Sequence, residues 1–311
     1  MLIIGHRGCS YKGYNQNTIR SYKKVIEEGA KAFEFDVQLT KDKKLVVVHN
    51  LNLTKVSNGT GLVSTKTLKE IKELNAGKIE NGKDEIPTLE EVLDLVSSYP
   101  KEKRVVMHLE LKGDNTGLIS GNIIKKYIDE GFLQNDDFLI SSFNWVELDL
   151  IRTICPQINI ALLEGSIRRK QLLPLLNSNE EIFSKIFSYG EEDYMLPISD
   201  DFETSKQVVE NEVKDENDLK ILIAEIHNAL NGKYYTQKLI QTALEKNAVS
   251  LNLWYKTVDK AFIEEVHKNG LKVFLFTVNE KADIDRLKIL KPDGIFTDYY
   301  MQTKNYYLEN K

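Results

Sequence analysis

The chain has 311 residues, 41% hydrophobic and 29% charged, with 17 glycines and 6 prolines, a balance that excludes disordered, collagen-like and low-complexity classes. Lys and Arg number 42 against 47 Asp and Glu, a net charge of −5, and without a basic tract this excludes non-specific nucleic-acid binding, which needs clustered cations on phosphates. The only two cysteines, Cys9 and Cys155, fall in no CxxC or Cys/His spacing, which excludes a zinc ribbon or a disulfide framework.

The first residues, Met1-Leu2-Ile3-Ile4-Gly5-His6, already read as a strand and carry no basic or apolar signal region. No apolar run approaches the ~20 residues of a spanning helix, so a cytoplasmic protein without stable membrane insertion is expected. Short β-branched runs then alternate with stretches of helical period, the mark of parallel βα units. The strand candidates are Leu2 to Gly5, Ala32 to Leu39, Leu45 to Val48, Val105 to Lys112, Phe138 to Ser141, Ile158 to Leu163, Ile186 to Ser188, Val249 to Leu253, Lys272 to Thr277 and Gly294 to Thr297. Asn17 or Thr18 can cap a helix from Ile19 to Glu28 that Gly29 stops, and Thr88 with Glu91 forms a capping box. No Gly-rich phosphate turn follows the first strand, so a closed α/β barrel, the (β/α)8 TIM fold, is preferred to an open doubly wound sheet.

One domain over residues 1–311 is therefore expected, with two stretches off the βα beat. Residues 50–87 carry turn signals at Asn58-Gly59, Gly61, Gly77 and Asn81-Gly82 and read as a small ordered insertion after an early strand. Residues 191–218 hold eleven acidic side chains against Lys206 and Lys214 and read as a solvated insertion or loop, either without chemistry or as a lid.

Chemistry gathers at the predicted strand ends. His6 and Arg7 follow the first strand. Glu34 and Asp36 alternate with Phe33, Phe35 and Val37, so both carboxylates share one face and the other is apolar. Two like charges inside a barrel need neutralising, and a divalent cation would do it. Val105 to Lys112 repeats the pattern: Glu110 adds a third carboxylate, and Lys112 either holds an anionic substrate or pairs with Glu110. His108, deeper in the strand, reads as a hydrogen-bonded core residue. His49 ends another apolar strand and supplies a second imidazole for acid and base work. Hard oxygen ligands, two histidines and two cations describe phosphoryl transfer better than redox or acyl chemistry.

With these residues in order, the chain resembles the glycerophosphodiester phosphodiesterase family of the phosphatidylinositol phospholipase C-like phosphodiesterase superfamily. The matching pieces are His6-Arg7-Gly8, Asn17-Thr18, Glu34 to Asp42, Leu45 to His49, Asn58 to Gly61, Ile86 to Glu91, Glu110-Leu111-Lys112, Phe276 to Asn279 and Asp293 to Asp298. The resemblance implies a (β/α)8 barrel with 50–87 as the family insertion, His6 and His49 as the acid/base pair, and Glu34, Asp36 and Glu110 on a divalent cation, Mg or Ca. It also implies Arg7 and Lys112 on the phosphate, and Phe143 and Trp254 either in the substrate pocket or in ordinary core packing. The implied reaction splits a glycerophosphodiester into an alcohol and glycerol 3-phosphate.

Two positions depart from the pattern. Gln16 stands where relatives carry a metal-binding glutamate, and Asn50 where they usually carry aspartate after the second histidine. An amide oxygen can still serve a hard cation, but with one charge fewer, so Gln16 is a ligand candidate in a weakened site. The alternatives are a lysophospholipase D or a sphingomyelinase D-like enzyme acting on lysolipids, or a barrel that binds a phosphodiester without turning it over.

Overall fold

The computed structural model of the chain describes residues 1–10, 13–77, 79–164, 167–168, 187–189, 194–197, 202–230 and 237–309. Its strands are β1 (Leu2–Gly5), β2 (Ala32–Leu39), β3 (Leu45–Val47), β4 (Val106–Leu111), β5 (Phe138–Ser142), β6 (Ile160–Glu164), β7 (Ile167–Arg168), β8 (Phe187–Tyr189), β9 (Tyr194–Pro197), β10 (Ser250–Trp254), β11 (Lys272–Phe276) and β12 (Gly294–Thr297). Among the described residues, eight of them run parallel in the order β1, β12, β11, β10, β6, β5, β4, β2, and the pairing of Gly5 with Phe33 closes the ring. Helices between the strands pack outside it, so the architecture is the expected (β/α)8 TIM barrel.

Strand alternation sorts the side chains. Phe33, Phe35 and Val37 of β2 and Met107, Leu109 and Leu111 of β4 are buried in the layer under the helices. A second apolar layer, of Ile4, Ala32, Leu139, Ala161, Phe274 and Phe296, plugs the barrel interior below the charged mouth. His108 belongs to that plug, with its ring edge-on to Phe274 and Phe296 at 5.3 and 5.4 Å. Its Nδ1 has no hydrogen-bond partner among the described residues, so packing rather than hydrogen bonding holds that side of the ring.

Two strand candidates lie outside the ring. β3 pairs antiparallel with β2, which folds the chain back so that His49 returns to the level of Asp36. The run Ile186 to Ser188 appears as Phe187–Tyr189 in a separate three-stranded antiparallel sheet with β7 and β9; Ile186 lies outside the described residues. The acidic stretch 191–218 contains β9 and a helix, Phe202–Glu212, while 191–193 and 198–201 are outside the described residues. That helix packs against the helix Glu216–Leu230, with Val209 within it and Val213 just after it buried.

Between β3 and the helix Leu89–Ser97, residues 50–87 build three short 3-10 turns and the helix Leu68–Lys72 around their own apolar cluster, which includes Leu53, Val56, Val63, Ile71 and Ile86. A polar clamp ties this unit to the chain after β1. Arg20 reaches both oxygens of Asp84 at 2.9 and 2.6 Å, and Asn15 donates to Asp84 at 2.9 Å. Gly77, in the left-handed region, lies so close to Asn15 that a Cβ there would sit 2.4 Å from Asn15 Oδ1. Among the described residues, no helix is long and apolar enough to cross a membrane.

Candidate active site

The C-terminal ends of the strands gather the charged residues expected there. Glu34, Asp36 and Glu110 offer carboxylate oxygens within 4.8 Å of one another, and all three side chains are buried. Register brings them together: β2 pairs with β4 so that Asp36 stands opposite Glu110 and Glu34 opposite His108.

The turn after β1 delivers His6 and Arg7. Arg7 holds a left-handed φ of 55°, and Gly8 follows at 85°, where a side chain would strike Ser21. This turn aims the Arg7 backbone N–H at Glu34 Oε2, 2.9 Å away. The Arg7 guanidinium lies 3.7 Å from Asp36 and donates to Gln16 Oε1 at 3.1 Å, so the Gln16 carbonyl is engaged by Arg7. Lys112 Nζ is 2.9 Å from Glu110 and 3.5 Å from Asp36, the pairing that its position beside Glu110 allows. Glu34 Oε1, by contrast, is buried with no hydrogen-bond partner among the described residues. Three hard carboxylates, one with an orphaned oxygen, against two fixed cations fit a divalent metal ion.

His6 reaches this cluster directly, and His49 follows Val48, whose backbone N–H donates to the Asp36 carbonyl at 3.0 Å. His6 Nε2 is 3.8 Å from Glu34 Oε2, while its Nδ1 is held by Asp298 Oδ1 at 2.7 Å. Asp298 is fixed in turn by Asn279, which donates to its other oxygen at 2.7 Å and accepts from its backbone N–H at 3.0 Å. His49 Nδ1 is 3.2 Å from Asn50 Oδ1, and its backbone is anchored where Gln38 donates to the Val48 and His49 carbonyls, each at 2.8 Å.

Burial and charge shift the titrations in opposite directions. Burial, with Asp36 and Glu110 beside it, pushes the Glu34 carboxyl well above the usual carboxylate range. Asp36 goes down: burial opposes ionisation, but the field of His49, Lys112 and Arg7 and the Asn17 amide outweigh it. Burial and then Lys112 and Arg7 hold His49 well below the ordinary imidazole value; with His49 neutral, Lys112 and Arg7 carry the stabilisation of Asp36. Burial and Arg7 also lower His6, against Asp298, which pulls it up.

Phe143, half-buried just after β5, meets the ring of Phe276 edge-on at 6.0 Å, and Trp254, the last residue of β10, is 7% exposed and packed in the outer apolar layer. Both sit at the mouth end of their strands, Phe143 just after β5, which neighbours β4, and Trp254 on β10, across the ring from β2. Sequence reasoning gave no role to Asp298, Asn279 or Gln38, and gave Asn17 only that of a candidate helix cap, a place that Thr18 takes. Asp298 and Asn279 lie in the matched segments Asp293 to Asp298 and Phe276 to Asn279, and the bare carboxylate after the last strand was the available signal.

The model of the glycerophosphoryl diester phosphodiesterase family matches residues 6–173 and 225–301, leaving unmatched the stretch with β8, β9 and the helix Phe202–Glu212. A glycerophosphodiester phosphodiesterase of Caldanaerobacter subterraneus is 29% identical over 308 residues, 96% of this chain and 93% of that one. A glycerophosphodiester phosphodiesterase of Bacillus altitudinis is 36% identical over 167 residues, 52% of this chain and 65% of that one. Among solved structures, an Oleispira antarctica phosphodiesterase in complex with the product sn-glycerol-3-phosphate superposes with a TM-score of 0.69 at 20% identity, covering 99% of this chain and 96% of that one. A glycerophosphodiester phosphodiesterase from Parabacteroides distasonis gives 0.65 at 19% identity, over 100% and 98%. The family match spans more than half of the chain and takes in the whole charged mouth, and the protein therefore belongs to the glycerophosphoryl diester phosphodiesterase family and is an enzyme of that kind.

Proposed function

We propose that the protein hydrolyses small glycerophosphodiesters to an alcohol and glycerol 3-phosphate with a divalent cation, Mg or Ca, held by Glu34, Asp36 and Glu110. The observation that carries this reading is the buried cluster of three carboxylates beside two imidazoles at one barrel mouth. When bound, the cation would supply positive charge to the phosphate and to the oxygen that develops charge in the transition state.

Charge balance supports the set. Without a cation, raising the Glu34 titration leaves Asp36 and Glu110 to balance Arg7 and Lys112. A divalent ion with all three carboxylates ionised leaves one positive charge, the complement of a phosphodiester monoanion. Arg7 can present a planar fork to two phosphate oxygens, and Lys112 a point charge.

The histidines differ in what stands behind them. Asp298, held ionised by His6, Asn279 and Arg7 although burial opposes it, can only accept, so His6 Nδ1 carries a proton and an imidazolium there has a carboxylate partner. His49 has the neutral Asn50 amide instead and the stronger downward shift. His49 is therefore the base that takes a proton from the attacking hydroxyl, and His6 the acid that protonates the departing alcohol oxygen. The attacking group is water or a neighbouring hydroxyl of the substrate. Phe143, half-buried at the mouth, serves the non-phosphate part of the substrate, and Trp254 serves the apolar packing beneath it. Single His6→Ala and His49→Ala variants, assayed with glycerophosphocholine, each lose most turnover while remaining folded; near-normal rates in either overturn the assignment.

A further inference from the structure

Asn17 sits in the left-handed region, with φ 55°, a conformation that asparagine tolerates better than most residues. Thr18, not Asn17, caps the following helix, so the Asn17 side chain is released for another task. Its Nδ2 donates to Asp36 Oδ2 at 2.9 Å, and its backbone N–H donates to the Arg7 carbonyl at 2.9 Å. Its Oδ1 accepts from the Tyr22 hydroxyl at 2.8 Å. Tyr22 is fully buried and stacked on Phe33 of β2, with ring centroids 4.6 Å apart and planes 19° apart.

The Asp36 carboxylate, which can only accept, settles which way the Asn17 amide faces and leaves its Oδ1 to the Tyr22 hydroxyl. The reverse orientation would set the amide oxygen against the carboxylate, so the NH2 faces Asp36 and the Tyr22 O–H donates to Oδ1. The stack on Phe33, one residue before Glu34, ties the hydroxyl to the strand that carries the carboxylates. Asp36 Oδ2 is thereby taken up, and Oδ1 is the oxygen left on the Lys112 side of the cluster.

We infer that Tyr22, acting through the Asn17 amide, is a positioning residue that orients Asp36 as a cation ligand, an inference that rests on the cation reading of this site. Outer-sphere partners of metal ligands commonly change affinity about 10- to 100-fold when removed. Tyr22 is one bond further out, so Tyr22→Phe is expected to weaken the cation about 3- to 10-fold and Asn17→Ala by about the outer-sphere range.

The test is calorimetric titration of the substrate-free protein with calcium chloride, run on wild type, Tyr22→Phe and Asn17→Ala, with melting temperatures measured alongside. Tyr22→Phe keeps the ring stack, so its fold persists even if Asn17→Ala does not fold. Weaker calcium binding by Tyr22→Phe at a melting temperature within a few degrees of wild type supports the inference. Calcium binding by Tyr22→Phe within twofold of wild type overturns it while leaving the cation reading intact. Absence of binding by wild type, both with calcium chloride and in a repeat with magnesium chloride, overturns both.

Discussion

Asp298 holds His6 from 292 residues away in sequence, its Oδ1 2.7 Å from the imidazole Nδ1, and so joins the last barrel strand to the first at the point where chemistry is expected. Asn279 and Thr297 complete the support, with Thr297 donating to Asn279 Oδ1 at 3.2 Å. Replacing Asp298 by asparagine keeps the shape and removes the charge. We expect kcat to fall about 10- to 10,000-fold, the span between outer-sphere partners of metal ligands and the carboxylate of a catalytic triad. Because Asp298 raises the His6 titration, its loss lowers it, and the alkaline limb of the kcat/KM profile moves to lower pH. An unmoved limb and unchanged kcat would show that the contact is structural only.

Gln16 gives a second prediction. Its carbonyl engages Arg7, and a glutamate there would pair with the guanidinium and add negative charge beside Asp36. Gln16→Glu is expected to bind the cation more tightly than wild type in direct titration. Tighter binding by wild type contradicts the account of Gln16 as the residue that weakens the site.

His108 links pH to stability. Burial, with a smaller contribution from Lys272, pushes its imidazole down to about 3. Above about pH 6.5 it is neutral in both folded and unfolded chains and contributes nothing to the pH dependence. As pH falls below that, the unfolded chain takes a proton the folded one refuses, so stability drops by up to about 1.4 kcal/mol per pH unit from this group, until about pH 3. Denaturant unfolding of His108→Leu from pH 7 to pH 4 should show a shallower loss than wild type. Parallel curves would mean that His108 protonates freely in the fold.

The clamp on residues 50–87 is tested by Asp84→Ala, which strips the partner from Arg20 and Asn15. A loss of about 1–3 kcal/mol in unfolding free energy is expected, the cost of leaving such donors unpaired. Faster amide exchange confined to residues 50–87 would place the loss at that contact, and an unchanged exchange pattern would argue that the apolar cluster alone holds the unit.

The barrel was legible because its inner and outer faces are written in period two: Phe33, Phe35 and Val37 against Glu34 and Asp36 leave no other placement. Strand membership was less legible. Leu45 to Val48 and Ile186 to Ser188 have the same apolar character as barrel strands, and only their antiparallel pairing with a strand close by in sequence puts them outside the ring. The helix Phe202–Glu212 was hidden by the acid content of its stretch, which masked the buried Val209 within it. Within the site, the motif residues could be read from strand ends, whereas Asp298, Asn279 and the Tyr22 hydroxyl act only through contacts that folding creates.

The central claim is that the three buried carboxylates serve a cation needed for phosphodiester cleavage. Its most direct test is to strip the purified protein with chelator, supply glycerophosphocholine, and follow glycerol 3-phosphate release before and after adding back Mg or Ca. The account predicts no release from the stripped protein and recovery on add-back, with Glu34→Gln, Asp36→Asn and Glu110→Gln each failing to recover. Equal release with and without chelator would contradict it.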